Sequence, residues 1–507
     1  MGQARGSVAA IGKVRWRTAE IQRLLLAAVG HLEVPARRQS SLKPRTAVEP
    51  AVRRGGYAAA AAAPAADRDD PTLVDLTGAL LGSRRTADPA RPLASPGGSR
   101  AGGRLGTVDT GDLELLRGPA GRALLDAAVA GLDRGEQVLP LATALRRAGS
   151  DPALVAAALT QAQLRVRGRT KFGPDADRMF WTAAGLEQST RAVVAGHRAA
   201  RYAQLAPDLV ADLCCGVGGD MLAMARAGLR VLGVDTDQVT AATARANAAQ
   251  MGLSERVTVR VDDVTSTDLS GVDAVFVDPA RRTASGRRRF DPQAYSPPLS
   301  FALELAHRVP ATCVKVAPGV PHELVPGTAE AEWVSVDGDL KEAALWFGPL
   351  GRPGRRRATL LTERGLRAAA TLTADTDRGA APVAAAGDYL HEPDAAVIRA
   401  GLVAVVAEQL GGWLLDPTIA YVSTDSPQLS AFTRRYRVED VVPFQLKRLR
   451  ALLRARGVGD VVVKKRGTAV QPEELRRQLR LDGTGPTRTL VLTRVAGAPI
   501  VLLVDPA

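Results

Sequence analysis

The sequence predicts an α/β protein whose central part, residues 209–348, is an open and mostly parallel sheet with helices packed on its faces. Two observations predict this fold. Short apolar runs alternate with helical patterns along the segment, which is typical of successive strand–helix–strand units. A glycine-rich turn also follows the first apolar run, at the position where such a unit passes from a strand into a helix.

The strands and helices of this central part are predicted from the spacing of apolar residues. The predicted strands are 209–214, 230–234, 257–261, 274–277, 313–316 and 343–347. The helical patterns between them include 221–227, 238–251 and 299–307. A further strand-like run, 358–361, follows a linker rich in Gly, Arg and Pro, and we place the whole domain at residues 204–365.

Further domains are predicted on both sides of the sheet. Apolar residues recur at helical spacing in residues 107–203, and Asp151 followed by Pro152 is typical of a helix start. After the sheet, residues 366–458 form a mixed connecting region, with predicted helices at 394–410 and 441–456. Residues 459–507 show the pattern of a small α/β domain: 460–464 and 472–479 as strand and helix, then strands 489–495 and 499–504.

The N-terminal extension carries much of the net charge of +14. Residues 1–106 contain 17 Lys and Arg and 8 Asp and Glu, a net charge of +9. The segment is rich in Ala, Arg, Pro and Gly and cannot bury enough apolar surface to offset chain entropy, so we expect it to be largely disordered. A related hypothesis is that Val108 is the natural start, read from a GTG codon; N-terminal sequencing of the natively expressed protein would disprove it by finding Met1 or Gly2.

Cysteine content and hydropathy limit the class of protein. The three cysteines, Cys214, Cys215 and Cys313, are too few for a disulfide framework and lack the paired C-x-x-C spacing of a structural zinc site. No apolar run reaches the roughly 18–20 residues that a membrane helix needs. We therefore expect a cytoplasmic protein with neither a metal site nor a membrane contact.

The strongest functional signal is the segment DLCCGVGGD at 212–220, between a strand and a helix. Its glycines let the backbone approach a ligand, and the helix N-terminus presents free N–H groups. Asp235 ends the next strand, 23 residues after Asp212, where a carboxylate can accept hydrogen bonds from both hydroxyls of a ribose. Asp263, beside Asp262, follows the third strand, where it could meet an adenine amino group. These acidic positions are expected to line one crevice.

Two cofactors fit such a crevice, a nicotinamide dinucleotide and S-adenosylmethionine (SAM). The dinucleotide fingerprint G-x-G-x-x-G requires a third glycine at the position of Met221. Asp212 would repel a pyrophosphate, whereas the amino acid end of SAM needs polar partners. The residues therefore favour SAM, and a dinucleotide or an empty pocket are the alternatives.

Residues 209–348 resemble class I SAM-dependent methyltransferases, which have a Rossmann-like domain. The turn CGVGG at 215–219 is similar to that of trimethylguanosine synthases, which also carry a helical region in front. With KFG at 171–173, GLEQST at 185–190, DPARR at 278–282 and KKRG at 464–467, the chain is similar to bacterial methyltransferases with a C-terminal THUMP-like domain.

This resemblance covers roughly residues 110–507 and implies SAM as cofactor and, in addition, an RNA substrate. It implies SAM binding at Asp212, Gly216, Gly218, Asp235 and Asp263, and Cys214 and Gly219 of the same turn complete the predicted cofactor-binding set.

The resemblance places Asp278-Pro279-Ala280-Arg281, which follows the fourth strand, at the transferred methyl group. Relatives that methylate exocyclic amines carry Asp/Asn-Pro-Pro-Tyr/Phe there: the first side chain and its carbonyl accept hydrogen bonds from the amine, and the aromatic ring stacks on the base. This chain lacks the second proline and the aromatic residue, which puts N-methylation of adenine or guanine in doubt. We predict Asp278 and Pro279 as catalytic residues, with Phe290 or Tyr295 as a stacking face.

Basic residues near this motif are predicted to bind the substrate. Arg281 and Arg282, followed by the arginine run 287–289, would form a positive edge suited to phosphate, unless they form only a solvated charged loop. Lys315, at the end of the fifth strand, could reach the substrate edge, and Tyr295 completes the predicted substrate-binding set. Cys313 invites comparison with RNA methyltransferases that use a thiolate, but no base accompanies it, so we expect a buried structural cysteine.

These observations predict a SAM-dependent methyltransferase that modifies a base in RNA, with a base nitrogen as the acceptor. Two alternatives stay open: a methyltransferase of a small molecule or protein, and a non-catalytic RNA-binding protein with a degenerate SAM pocket. Calorimetry with SAM separates the second alternative from either enzyme. The modified nucleotide, the RNA species and the oligomeric state do not follow from the sequence.

Overall fold

The computed structural model describes residues 109–280, 292–363, 370–375 and 379–507. The basic extension with the proposed start at Val108 lies outside the described residues. So do Arg281, Arg282, the arginine run 287–289 and Phe290, and their predicted roles at the substrate stay predictions.

The described N-terminal part is helical, as expected. Its helices are α1 (Thr110–Arg117), α2 (Pro119–Asp133), α3 (Val138–Arg147), α4 (Pro152–Phe172), α5 (Ala183–Gln188) and α6 (Ala192–Leu205). Helix α4 begins where the sequence predicted, because the Asp151 carboxylate accepts a hydrogen bond from the Leu154 backbone N–H at 2.9 Å. Leucine and alanine side chains from the first four helices form one apolar core.

The central sheet has the strand order β3-β2-β1-β4-β5-β7-β6-β8-β9. Strands β1 to β5 are mutually parallel and β7 runs antiparallel to β5. Because the order reverses between β1 and β4, the carboxyl ends of these strands open a crevice there. The strands are β1 (Val210–Leu213), β2 (Val231–Asp235), β3 (Val257–Val261), β4 (Ala274–Val277), β5 (Ala311–Val316), β6 (Glu330–Val336), β7 (Asp339–Trp346), β8 (Arg355–Leu361) and β9 (Ala370–Asp375).

Helices cover both faces of this sheet. Along β1, Ala211 and Leu213 pack into one apolar layer and Val210 into the other, as the alternation of side chains on a strand requires. The first layer includes α9 (Leu299–Arg308), and the second includes α6, α7 (Gly219–Arg226) and α8 (Gln238–Gln250). This architecture confirms the predicted Rossmann-like α/β fold.

Strand β6 was missed by the sequence reasoning. It reads EAEWVSV, and its glutamates break the apolar run that predicts a buried strand. Glu330 and Glu332 are nevertheless buried, because Arg201 and Arg357 pair with the first and His197 with the second. Paired charges therefore replace apolar side chains inside this strand.

The C-terminal strands form a second sheet with the order β11-β12-β10-β13-β16-β15-β14. It begins at Tyr389 and ends at Pro506, so it runs across the predicted boundary between residues 458 and 459. The domain limits stay predictions. The elements are β10 (Tyr389–Pro393), α10 (Ala395–Ala400), α11 (Val403–Gln409), β11 (Trp413–Asp416), β12 (Ile419–Thr424), β13 (Thr433–Pro443), α12 (Leu446–Ala455), β14 (Asp460–Lys465), α13 (Pro472–Leu479), β15 (Thr487–Val495) and β16 (Ala498–Pro506).

Two predicted helices in this region were wrong in part. The pattern at 394–410 is two helices, because Gly401 adopts φ 75° and ends α10 in a left-handed cap. In the pattern at 441–456, residues 441–443 belong to β13, where they pair with β16. Only α12 is helical, because the backbone of residues 441–443 is committed to pairing with β16.

Candidate active site

A cavity of about 300 Å³ opens at the carboxyl ends of β1, β2 and β4. The glycine-rich turn forms one side of it, and residues from α5 to the start of α6 form the other. The lining residues are Thr182, Ala184, Gly185, Glu187, Gln188, Ser189, Thr190, Asp212, Cys214, Cys215, Gly216, Val217, Gly219, Asp220, Asp235, Thr240, Phe276, Asp278, Pro279 and Ala280.

The turn after β1 needs its glycines at two positions. Gly216 has φ 57°, and a Cβ there would project into open space at the cavity. Gly218 has φ 93° and precedes α7, and a Cβ on it would come within 2.7 Å of Met221 Cε. The turn thereby brings backbone and the N-terminus of α7 to the cavity without side chains in the way.

Asp212 is a buried carboxylate at the floor of the cavity. It is 1% exposed, and neither carboxylate oxygen has a hydrogen bond of normal geometry within the described residues. Burial, together with the carboxylates of Asp220 and Asp278, raises its pKa well above the usual range. A buried acid in this state matches a ligand that brings a positive charge and N–H donors.

Asp235 is fixed at the end of β2. Its carboxylate accepts hydrogen bonds from the backbone N–H groups of Gly216 and Asp237, each at 3.0 Å. Burial nevertheless raises its pKa above the usual value. Asp235 thus connects the glycine turn to the next strand and presents acceptor oxygens to the cavity.

A buried charge network lies beneath Asp212. The guanidinium of Arg198, from α6, pairs with Asp220 and with Glu342 and lies 4.2 Å above the ring of Phe276. On the neighbouring strand, Lys315 Nζ lies 2.5 Å from Asp278 Oδ2. Four carboxylates, including Asp212, therefore share two cations in this floor.

The helical part supplies one wall of the cavity, and Lys171 fixes that wall. Its ammonium group donates hydrogen bonds to the carbonyl oxygens of Leu186 and Glu187, both at 2.7 Å, and of Ser189, at 3.1 Å. These carbonyls end helix α5, whose partial negative charge a lysine stabilises. Lys171 of the KFG segment therefore holds the segment at 185–190 in place, which links the two sequence motifs.

The structure brings most of the predicted site residues together. Those that line the cavity are Asp212, Cys214, Gly216, Gly219, Asp235, Asp278 and Pro279, and Gly218 belongs to the same turn. Their individual roles stay predictions.

Three predicted residues lie elsewhere. Asp263 is exposed and absent from the lining, and its carboxylate accepts hydrogen bonds from the backbone N–H and hydroxyl of Thr265. Tyr295 is 3% exposed, so it does not present a stacking face to the cavity in this structure. Lys315 is buried behind Asp278 rather than at an open substrate edge.

Sequence reasoning missed Arg198, Glu342 and Thr190. Arg198 meets Asp220 across 22 residues and Glu342 across 144, so no local spacing announces these pairs. The available signal was charge: Arg198 and Glu342 each interrupt an apolar segment that the fold buries.

Burial disfavours the thiolate form of the three cysteines. Cys313 is fully buried in β5, and burial raises its pKa well above the usual value. Burial likewise raises the pKa values of Cys214 and Cys215 beside the turn. The expected structural role of Cys313 agrees with this geometry.

The described residues contain neither a candidate metal cluster nor a candidate membrane-spanning helix. Within the described ranges, no group of three or more His, Cys, Asp or Glu side chains is arranged to hold a metal ion. None of the helices in that same part of the chain combines the length and the apolar character required to cross a membrane.

Three family models match the chain. Residues 210–282 match a methyltransferase domain, and residues 433–506 match a THUMP domain-like family. Residues 109–168 match a model described as a domain of unknown function.

Similar proteins agree with these matches. An uncharacterized SAM-dependent methyltransferase of Mycobacterium tuberculosis is 36% identical over 345 residues, which cover 66% of this chain and 92% of the relative. A 23S rRNA (uracil-C5)-methyltransferase of Acidithiobacillus ferrooxidans is 35% identical over 81 residues, 15% of this chain and 18% of that protein. A crystal structure of a protein from Porphyromonas gingivalis, assigned as a methyltransferase, shares the fold with a TM-score of 0.58 at 23% identity, covering 71% of this chain and 92% of that one. The chain therefore belongs to the SAM-dependent methyltransferases, with SAM as its cofactor and a THUMP-like domain at its C-terminus.

Proposed function

We propose that the chain transfers the methyl group of SAM to a nitrogen of a base in RNA. The distribution of charge along the chain is the main support for RNA as the substrate. Residues 433–506 contain 16 Lys and Arg and 7 Asp and Glu, a net charge of +9, whereas residues 107–432 contain 34 and 38, a net charge of −4. The THUMP-like segment is thus strongly basic beside an acidic methyltransferase part, which favours a polyanionic partner.

Helix α12 presents this charge to solvent. Leu449 and Leu453 are fully buried on its inner face. Lys447, Arg448 and Arg454 are exposed on its outer face and form no ion pair with any residue that the structure describes, whereas the adjacent Arg456 pairs with Asp440 at 2.6 Å. Cations that form no ion pair within the described part of the chain are available to neutralise phosphates and release their counterions.

The cavity residues account for binding of SAM. When bound, SAM supplies a methyl group on a positively charged sulfur. The buried carboxylate of Asp212 would accept hydrogen bonds from the ammonium group of the amino acid end, and Gly216, without a side chain, would leave room for it. Asp235, which lines the cavity at the end of β2, would accept hydrogen bonds from the ribose hydroxyls.

Asp278 and Pro279 orient the acceptor. They line the cavity directly after β4, and one carboxylate oxygen of Asp278 is held by Lys315. The other oxygen and the backbone carbonyl can accept hydrogen bonds from an amine, which aligns its nitrogen with the methyl group. A nitrogen acceptor is favoured over a ring carbon because the buried Cys313 offers no thiolate for attack on a pyrimidine.

One similar protein and one family match support an RNA substrate. The protein of Acidithiobacillus ferrooxidans is named for its action on 23S rRNA, although the similarity covers 81 residues. The THUMP-like match falls on the same residues, 433–506, that carry the positive charge.

Methyl transfer to cellular fractions tests the proposal. Total RNA, soluble protein and small molecules from a deletion strain are each incubated with the protein and SAM carrying a labelled methyl group. We expect label in RNA and, after digestion to nucleosides, in a base. Label only in protein or small molecules would overturn the RNA assignment.

Binding of the same RNA tests the proposed surface. A chain that begins at residue 107 avoids a contribution from the basic extension. The triple variant Lys447→Gln, Arg448→Gln, Arg454→Gln should weaken binding about 10-fold or more and reduce the slope of log K against log salt by about 2 to 3. The matched control removes three exposed arginines of the helical part, Arg122, Arg146 and Arg147. An equal loss in both triples would place the RNA elsewhere.

A further inference from the structure

Lys315 is a buried lysine for which the proposed reaction has no direct use. It lies on β5, and its side chain is 6% exposed. Its ammonium group lies 2.5 Å from Asp278 Oδ2, 2.9 Å from Thr190 Oγ1 and 4.0 Å from Glu342 Oε2. Three separate parts of the chain therefore converge on one ammonium group: the motif after β4, the start of α6 and strand β7.

The ammonium group is charged despite its burial. Burial favours the neutral amine, and Arg198 acts in the same direction. The carboxylates of Asp278, Glu342 and Asp220 outweigh both and raise the pKa of Lys315 above its usual value. A lysine in this setting is held as a cation by the acids that it neutralises.

Lys315 restricts Asp278 in two ways. It occupies Oδ2, which leaves Oδ1 to accept hydrogen bonds from a substrate. It also compensates charge in the floor, where the carboxylates of Asp212, Asp220, Asp278 and Glu342 would otherwise face Arg198 alone. Without the lysine, one of these acids would take up a proton more readily.

We propose that Lys315 is a positioning residue for methyl transfer, which holds Oδ2 of Asp278 so that Oδ1 is turned towards the acceptor. Thr190 fixes the ammonium group from the helical part, so the wall of the cavity and the motif after β4 are coupled through Lys315. The inference rests on the proposed role of Asp278 in orienting the acceptor.

Four variants test this role: Lys315→Met, Lys315→Arg, Asp278→Asn and the double variant Lys315→Met, Asp278→Asn. Lys315→Met should lower kcat about 100-fold, because the acceptor loses its alignment. It should also move the acidic limb of the rate–pH profile to higher pH, because an uncompensated carboxylate is protonated more readily. Lys315→Arg keeps the charge and should recover part of kcat. In the Asp278→Asn background, Lys315→Met should change kcat by no more than about 3-fold.

Folding of the variants is checked by circular dichroism and thermal unfolding. Thr190→Val retains every charge of the floor and removes one partner of the ammonium group, so it provides a second and milder variant. It should lower kcat by about 3- to 10-fold, in line with the loss of one hydrogen bond, without moving the acidic limb. An unmoved acidic limb in Lys315→Met, or an equal loss of kcat in the Asp278→Asn background, would overturn the proposal.

The test of Lys315 does not depend on whether the substrate is RNA. The variants are assayed on whichever fraction the wild-type protein methylates, so label in protein would refute RNA and leave the test of Lys315 intact. A second readout needs no acceptor: calorimetry with SAM in buffers of different ionisation enthalpy counts the protons released on binding. Lys315→Met should release more protons than the wild type, and the double variant should return to the wild-type count. Equal counts in the wild type and Lys315→Met would contradict the proposed compensation of charge.

Discussion

Arg198 and Arg448 show how differently the methyltransferase part and the THUMP-like segment use positive charge. Arg198 is 2% exposed and pairs with Asp220 and Glu342 below the cavity. Arg448 is exposed on α12 and forms no ion pair with any described residue. The first charge is committed to neighbouring acids, and the second remains free for a partner.

Burial decides whether a charged side chain contributes to the stability of the folded protein or to the affinity for a partner. A buried arginine loses its hydration and is stable only while its acids remain, so its removal acts on the folded state. An exposed arginine keeps its hydration, and its removal acts on binding. The two kinds of residue should therefore separate into stability effects and affinity effects.

The largest effect is expected for Arg198→Met. The variant leaves Asp220 and Glu342 buried without their cation, so the free energy of unfolding should fall by about 3–5 kcal/mol. Arg448→Gln, as the matched exposed change, should alter it by less than about 0.5 kcal/mol. Urea denaturation followed by circular dichroism measures both. Similar losses of unfolding free energy in the two variants would contradict the distinction between the buried, paired arginine and the exposed arginine.

The next effect concerns Asp212, which is buried like Arg198 but has no hydrogen bond of normal geometry within the described residues. We propose that the Asp212 carboxylate binds the SAM ammonium group, so Asp212→Asn should lower the affinity for SAM about 10- to 100-fold, as expected for a hydrogen bond to a charged group. Protein stability should hold or rise, because the variant removes a buried acid that has no hydrogen bond of normal geometry to lose within the described residues.

Calorimetry with SAM checks the prediction for Asp212. The matched control is Asp268→Asn, an exposed aspartate whose carboxylate accepts hydrogen bonds from Ser270. An unchanged SAM affinity in Asp212→Asn would show that the cofactor's amino acid end lies elsewhere in the cavity.

The parts of the site that sequence reasoning found are those set by strand ends. Asp212 and Asp235 follow apolar runs, so the periodicity of β1 and β2 places both carboxylates at one edge of the sheet. The same rule placed Asp263 there, but that residue lies beyond the last residue of β3, and its carboxylate forms hydrogen bonds with Thr265. Beyond a strand end, local hydrogen bonds rather than periodicity decide where a side chain points.

The parts that sequence reasoning missed depend on contacts between distant segments. Lys315 was expected at the substrate edge, yet Asp278 and Thr190 hold it within the floor. Strand β6 escaped detection for the same reason, since its glutamates are buried only because arginines from α6 and β8 meet them. Charged residues that a sequence pattern predicts to be exposed can be buried when oppositely charged residues from distant segments pair with them.

The smallest predicted effect concerns His391 on β10, which contrasts with His197 on α6. His197 lies beside Glu332, at 2.9 Å, whereas His391 is buried between the hydroxyls of Thr433 and Thr424 with Arg435 nearby. Burial and then Arg435 lower the pKa of His391 to about 4 from 6.5. The folded protein therefore favours the neutral imidazole, and the contribution of His391 to stability is present above pH 6.5 and is lost as the pH falls towards about 4.

Between pH 7 and pH 5 the unfolding free energy should drop by about 1–2 kcal/mol more in the wild type than in His391→Gln, measured by urea denaturation. The exposed His307→Gln serves as the control and should keep the wild-type drop, and a His391→Gln variant with the full wild-type drop would assign the acid sensitivity to another group.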